Sequence, residues 1–298
     1  MEHNASHRAL APGADLLAAL DSHFAERAVM VGHDGARLTC RIGGTRGPVI
    51  VLLHGISSGA ASWLPCASLL AAHARVIAWD APGYGQSTPL PMPAPTARDY
   101  AARLGQLLAA LQVKPDLIVG HSLGALMAAA YAAQATHATH AAPATLPNRF
   151  LLLSPALGYG APGKEEKSRE VAGQRLRALE TLGVDGLAQR GPARLLSAAA
   201  TSDAQAWVRW NMQRLNPDGY RQAVALLCGD DIGQYLASAA RPVEVGCGAH
   251  DVVTTPAASA ALAERFGLPF HLIPDAGHAC YIEQPQSVAR LIRATLQA

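Results

Sequence analysis

The sequence predicts an α/β protein: a mostly parallel sheet with helices on both faces and a helical segment inserted late in the chain. Three observations carry that expectation. Short apolar runs bounded by turn residues alternate with longer helical patterns from Val49 onward. The alternation stops between residues 156 and 240, where strand signals vanish and charged helical stretches replace them. A chain of 298 residues, 50% of them hydrophobic, can also bury a large core and leave room for an insertion.

Residues 15–24 place Leu16, Leu17, Leu20 and Phe24 at helical spacing, so segment 1–24 is expected to add an N-terminal helix. A core over 25–155 and 241–298 follows. Two β-like runs flank the turn His33-Asp34-Gly35, and strands are expected at 49–54, 75–79, 116–119 and 149–153. Helices are expected at 63–72, 97–112 and 125–135, the last rich in alanine. Gly163-Lys164-Glu165-Glu166-Lys167 opens the insert, a helical cap over 156–240 with amphipathic stretches near 169–182 and 204–214. After it, strand-like runs at 242–246 and 269–273 precede helices begun by Pro256 and Pro285.

The most informative motif is Gly120-His121-Ser122-Leu123-Gly124, directly after Asp116-Leu117-Ile118-Val119. It sets a serine on a sharp strand-to-helix corner, where the flanking positions crowd each other and only glycine tolerates the approach. A serine hydroxyl needs a base to take its proton and a third group to orient that base, in the order Ser, acid, His. Asp251 lies on the loop after the 242–246 run, and His278 on the loop after 269–273. In a parallel sheet such loops gather at the carboxyl edge, so the three can meet. Asp275, Asp230 and Asp231 compete for the acid position; Asp275 is too close to His278 to occupy a separate loop, and Asp230 falls in the insert. Asp80, in Asp80-Ala81-Pro82-Gly83-Tyr84-Gly85-Gln86-Ser87, is read as part of a structural turn. His54 and His121 lie near the site without an evident proton-transfer role.

Val51-Leu52-Leu53-His54-Gly55, the Asp80–Ser87 turn, the serine corner and the Asp251 and His278 segments together resemble the α/β-hydrolase fold family over nearly the whole chain. The likeness is to its serine-nucleophile, esterase- or lactonase-like branch with a helical cap. It implies Ser122 as nucleophile, His278 as general base and then acid, and Asp251 as the carboxylate that fixes the imidazole tautomer. A tetrahedral intermediate needs fixed donors for its oxygen. The helix after Ser122 offers the Leu123 N–H, and the resemblance supplies the Ile56 N–H, both named for their backbone only. It also implies that the insert sits over the nucleophile. Trp63, Trp207, Trp210 and Met212 are the candidate substrate contacts, with Tyr220 a further large side chain there. Arg209 and Arg214 are offered for a substrate carboxylate, against the plainer reading of a solvated helix face.

Composition narrows the partners. A formal net charge of +2 with scattered Lys and Arg gives no basic stripe for nucleic acid, and no apolar stretch reaches transmembrane length. The first residues lack an apolar signal core, which predicts a cytoplasmic protein. The five cysteines are odd in number and without a C-x-x-C pair, so free buried thiols are expected, and Cys280 near His278 gains no role from proximity. His137 and His140 are spaced for one helix face but sit in an alanine-rich linker; no metal and no cofactor are expected.

The expected substrate is a small ester or lactone, cleaved through an acyl-serine intermediate. A serine disfavours the family's haloalkane dehalogenases and epoxide hydrolases, which use aspartate there. A C–C bond hydrolase of ring-cleavage products is an alternative, although Ile56-Ser57-Ser58-Gly59-Ala60 departs from the Gly-Pro-Gly usual in that group. An acyltransferase using the same triad, or a non-catalytic small-molecule receptor, are the others. The chain is also similar to capped enol-lactone and lactone hydrolases of aromatic-acid breakdown. Oligomeric state is not legible.

Overall fold

A computed structural model describes residues 12–137, 147–239 and 241–298. His137 is the last residue of a helix rather than part of a linker, while the linker reading of His140 and that of residues 1–11 lie outside the described residues. Eight strands form one sheet: β1 Ala25–Val31, β2 Ala36–Gly43, β3 Val49–Leu53, β4 Arg75–Trp79, β5 Leu117–His121, β6 Arg149–Leu153, β7 Val243–Gly248 and β8 Phe270–Ile273. Their spatial order is β1-β2-β4-β3-β5-β6-β7-β8. β1 and β2 form an antiparallel hairpin and β2 runs antiparallel to β4; every later pairing is parallel.

The central strands explain why the pattern was readable. Every residue of β5 is buried, as are all but the first residues of β3 and β6, so both faces of the sheet are covered and the strands read as unbroken apolar runs. The covering elements are α1 Ala14–His23, α2 Leu64–Leu70, α3 Ala97–Ala110, α4 Leu123–His137, α9 Pro256–Phe266, the short α10 Cys280–Glu283 and α11 Pro285–Gln297. α2 packs on α11, α3 packs on α4, and α9 lies on β7. From Leu123 to Ala133, α4 buries leucine, methionine, tyrosine and alanine on all sides, as expected of a helix in the middle of a core. A 3-10 turn, Ala60–Trp63, precedes α2, so the helix expected at 63–72 begins one residue later and ends two earlier.

Between β6 and β7 lie α5 Glu165–Leu195, α6 Ser202–Met212, α7 Pro217–Gly229 and α8 Ile232–Leu236. α5 is broken at Gly183, whose φ of 62° and ψ of −175° are not helical, giving two arms on either side of one residue. The insert docks on the core through glycine. A Cβ on Gly219, at the start of α7, would sit 1.9 Å from the Gly83 carbonyl oxygen, so the two backbones touch where no side chain fits. Gln222 Nε2 then donates to the carbonyls of Leu90 (2.7 Å) and Met92 (2.8 Å). Asp230 ties α8 to α3, accepting from Ala97 N–H at 2.7 Å and from the Tyr235 hydroxyl at 2.9 Å. Its carboxylate is spent on structure, which removes it from the acids considered above.

Candidate active site

Ser122 stands at the β5–α4 corner with φ of 53°, a left-handed conformation that residues other than glycine rarely adopt. Its neighbours force the corner. A Cβ on Gly120 would lie 2.4 Å from the Gly124 oxygen, and one on Gly124 would lie 2.5 Å from the Leu53 oxygen. Backbone bonds complete the turn: Ser122 N–H donates to Leu153 O at 2.9 Å, and Ser122 O accepts from Ala125 at 3.0 Å and Ala156 at 3.1 Å.

The loops after β7 and β8 bring Asp251 and His278 together. His278 Nδ1 lies 2.9 Å from Asp251 Oδ2, both side chains being buried. A carboxylate accepts, so Nδ1 carries the proton and Nε2 is left with the lone pair a base requires. The second carboxylate oxygen accepts from the N–H groups of Val253 (2.7 Å) and Thr254 (2.9 Å), while the Thr254 hydroxyl lies 2.9 Å from Oδ2 and 3.2 Å from His278 Nδ1. Burial works to raise the Asp251 pKa. The bond to His278, the attraction to that ring in its protonated form and the two backbone donors outweigh it and hold the carboxyl well below the usual range. Ser122 and His278 line one cavity of about 220 Å³. No hydrogen bond of ordinary geometry joins Ser122 Oγ to the His278 ring among the described residues; such contacts commonly tighten only when substrate arrives.

His54 and His121 have positions the sequence left unexplained. His54 Nδ1 donates to Gly55 O at 2.8 Å and Nε2 accepts from Ala81 N–H at 3.0 Å, while burial lowers its pKa. It is therefore a neutral strut under the Gly55–Ile56 peptide, and the carbonyl of the next peptide, that of Ile56, accepts from the Tyr84 hydroxyl at 2.8 Å. Asp80 steadies the same loop from the other side by accepting from Ala60 N–H at 2.8 Å, as its structural reading requires. Ile56 and Leu123 both border the space beside Ser122, and Leu123, as the first residue of α4, has no intrahelical acceptor for its N–H. His121 Nε2 donates to the His278 carbonyl at 2.8 Å, and burial, helped by the charge of His278, pushes its pKa down to about 3. The cysteines are all free and buried; burial raises Cys280 well above its usual value and Cys247 to about 11, so neither supplies a thiolate.

Of the four expected substrate contacts, only Met212 lines the cavity. Trp63 is fully buried behind it, stacked on Tyr281 with ring centroids 4.0 Å apart, and Tyr281 takes the wall position instead. Trp207 donates Nε1–H to Ser62 O at 3.3 Å, joining the insert to the core, and stacks on Trp210 at 4.8 Å. Arg214 lies 3.3 Å over the Trp210 ring, and neither it nor Arg209 reaches the cavity. The arginines that do are Arg175, Arg190 and Arg194 of α5. From sequence, 169–182 reads only as an amphipathic stretch and 183–195 is assigned to no element, and the break at Gly183 that joins the two arms has no strong local signal.

Residues 50–291 match the alpha/beta hydrolase family. The chain belongs to that family. It is 27% identical over 252 residues to the proposed carbamate hydrolase RutD of Enterobacter cloacae, covering 82% of this chain and 90% of that protein. Over 98 residues it is 39% identical to an uncharacterised protein of Mycobacterium tuberculosis, a match that takes in 33% of this chain and only 28% of that protein's length. Among solved structures, the enol-lactonase of Burkholderia xenovorans superposes with a TM-score of 0.77 at 25% identity, covering 91% of this chain and 100% of the other. Among the described residues no helix is long and apolar enough to cross a membrane, and no group of three or more His, Cys, Asp or Glu is disposed to hold a metal ion.

Proposed function

We propose that this chain hydrolyses a small ester or lactone through an acyl-serine intermediate on Ser122, without a cofactor. One observation supports the reading most: an ionised, buried Asp251 holds the His278 ring by Nδ1 while Ser122, on a strained corner, shares the same small cavity. In the first step His278 Nε2 takes the hydroxyl proton as Ser122 Oγ bonds to the substrate carbonyl carbon. The carbonyl oxygen becomes negative and is met by the N–H groups of Ile56 and Leu123. Collapse breaks the bond to the leaving oxygen, which receives the proton from His278. Water then repeats the sequence on the acyl-enzyme and releases the acid.

The segment 156–240 acts in this account as a cap, with α5 and α6 closing the cavity over Ser122 and confining it to small substrates. Five buried free thiols fit a reducing compartment, and we place the protein in the cytoplasm. The similarity to an enol-lactonase and to a proposed carbamate hydrolase supports acyl chemistry with oxygen or nitrogen leaving groups. The test is a panel of short-chain esters, five- and six-membered lactones, carbamates and vinylogous 1,5-diketones assayed with purified protein. Turnover of esters or lactones at saturable rates is expected; turnover confined to the diketones would replace the proposal by C–C hydrolysis.

A further inference from the structure

Two lobes of empty space meet beside Ser122. One is the 220 Å³ cavity described above; the other, of about 250 Å³, runs toward Tyr159, Lys164 and Thr255. Ile56, Ser122, Arg175, Arg194 and Val253 belong to both walls, so the two arginines stand at the junction next to the serine. Arg190 lines the first lobe and Lys164 the second, and neither wall contains an aspartate or glutamate. Among the described residues no ion pair involves any of these four cations. Arg175 meets only a neutral partner, donating to the Tyr220 hydroxyl at 3.3 Å.

The arrangement is built by the fold rather than left on a flexible surface. Arg175 comes from the first arm of α5 and Arg194 from the second, and the reversal at Gly183 returns the chain so that both guanidiniums border one space. Burial first, and then repulsion from the neighbouring Arg175 charge, lower the Arg194 pKa from its ordinary value. Fixed cations without counter-charge in a semi-enclosed site favour an anion, because the anion relieves the repulsion and accepts forked, charge-assisted bonds.

Resting on the reading of Ser122 as nucleophile, we infer that the substrate is itself an acid: a small ester or lactone bearing a carboxylate that docks between Arg175 and Arg194. Guanidinium forks match the planar two-oxygen face of a carboxylate, and the apolar remainder of the first lobe, with Leu182, Leu187, Val208 and Met212, suits a short hydrocarbon body.

The test measures charge preference in binding and in turnover separately. Ser122→Ala protein, which cannot consume ligand, is titrated calorimetrically with 4-acetoxybenzoate and its neutral methyl ester, and with mono-4-nitrophenyl succinate and its methyl ester. In at least one pair the carboxylate is expected to bind about tenfold more tightly, with the preference falling as salt is added. Adding Arg175→Gln or Arg194→Gln should remove that preference, and Arg175→Lys should restore part of it. Arg177→Gln, on the exposed face of the same helix, should keep it. Equal or weaker binding of the carboxylate in both pairs, or no detectable binding of any, overturns the acid-substrate inference. If the charge preference is found but wild-type protein hydrolyses none of the four, the hydrolase proposal fails and the anion site stands.

Discussion

Ser122→Ala is expected to lower kcat on the best ester or lactone by on the order of 10⁴- to 10⁶-fold while leaving Tm within a degree or two of wild type. The activity loss is large because the imidazole and thiols packed nearest His278 are poor substitutes as nucleophile. His121 is neutral with its pKa driven far down, and the Cys247 and Cys280 thiols are held protonated by burial. The fold should hold, since the corner is set by Gly120, Gly124 and backbone bonds rather than by the hydroxyl. Steady-state kinetics and a melting curve on the same preparation check both halves, and a variant retaining a tenth of wild-type kcat would dismiss Ser122 as nucleophile.

Asp251→Asn is expected to cost on the order of 10³- to 10⁴-fold in kcat, with a much smaller effect on KM. An amide at this position can donate to Nδ1, which moves the ring proton to Nε2 and leaves no lone pair facing the serine. Stability supplies a second readout. Asp251 titrates lower in the folded chain than its unfolded value of about 3.9, so it contributes stability above that pH and loses it as pH falls. Denaturant melts between about pH 5 and pH 2.5 should therefore show a steeper decline for wild type than for the variant. Near-normal kcat would move the acid elsewhere.

The parallel core and the three candidate catalytic residues were legible for a common reason. β3, β5 and β6 are covered on both faces, so they read as uninterrupted apolar runs, and the glycines around Ser122 are required by contacts shorter than any side chain permits. The carboxyl-edge loops after such strands then place Asp251 and His278. The insert resisted reading because its geometry is tertiary. Trp207 and Trp210 looked like substrate contacts on chemistry alone, yet their indoles are engaged with each other and with Ser62. Arg175 and Arg194 are nineteen positions apart and become neighbours only through Gly183, one glycine among 27. Thr254 and Tyr84, which brace Asp251 and the Ile56 peptide, carry no motif that separates them from ordinary loop residues.

The central claim is that Ser122 is an activated nucleophile, and intact-mass measurement after treatment with a fluorophosphonate tests it most directly. Wild-type protein is expected to gain one phosphonyl adduct, located on Ser122 by peptide mapping, with Ser122→Ala unlabelled and Asp251→Asn labelled far more slowly. Folded wild-type protein that takes up no label, or takes it up equally after Ser122→Ala, would contradict the account.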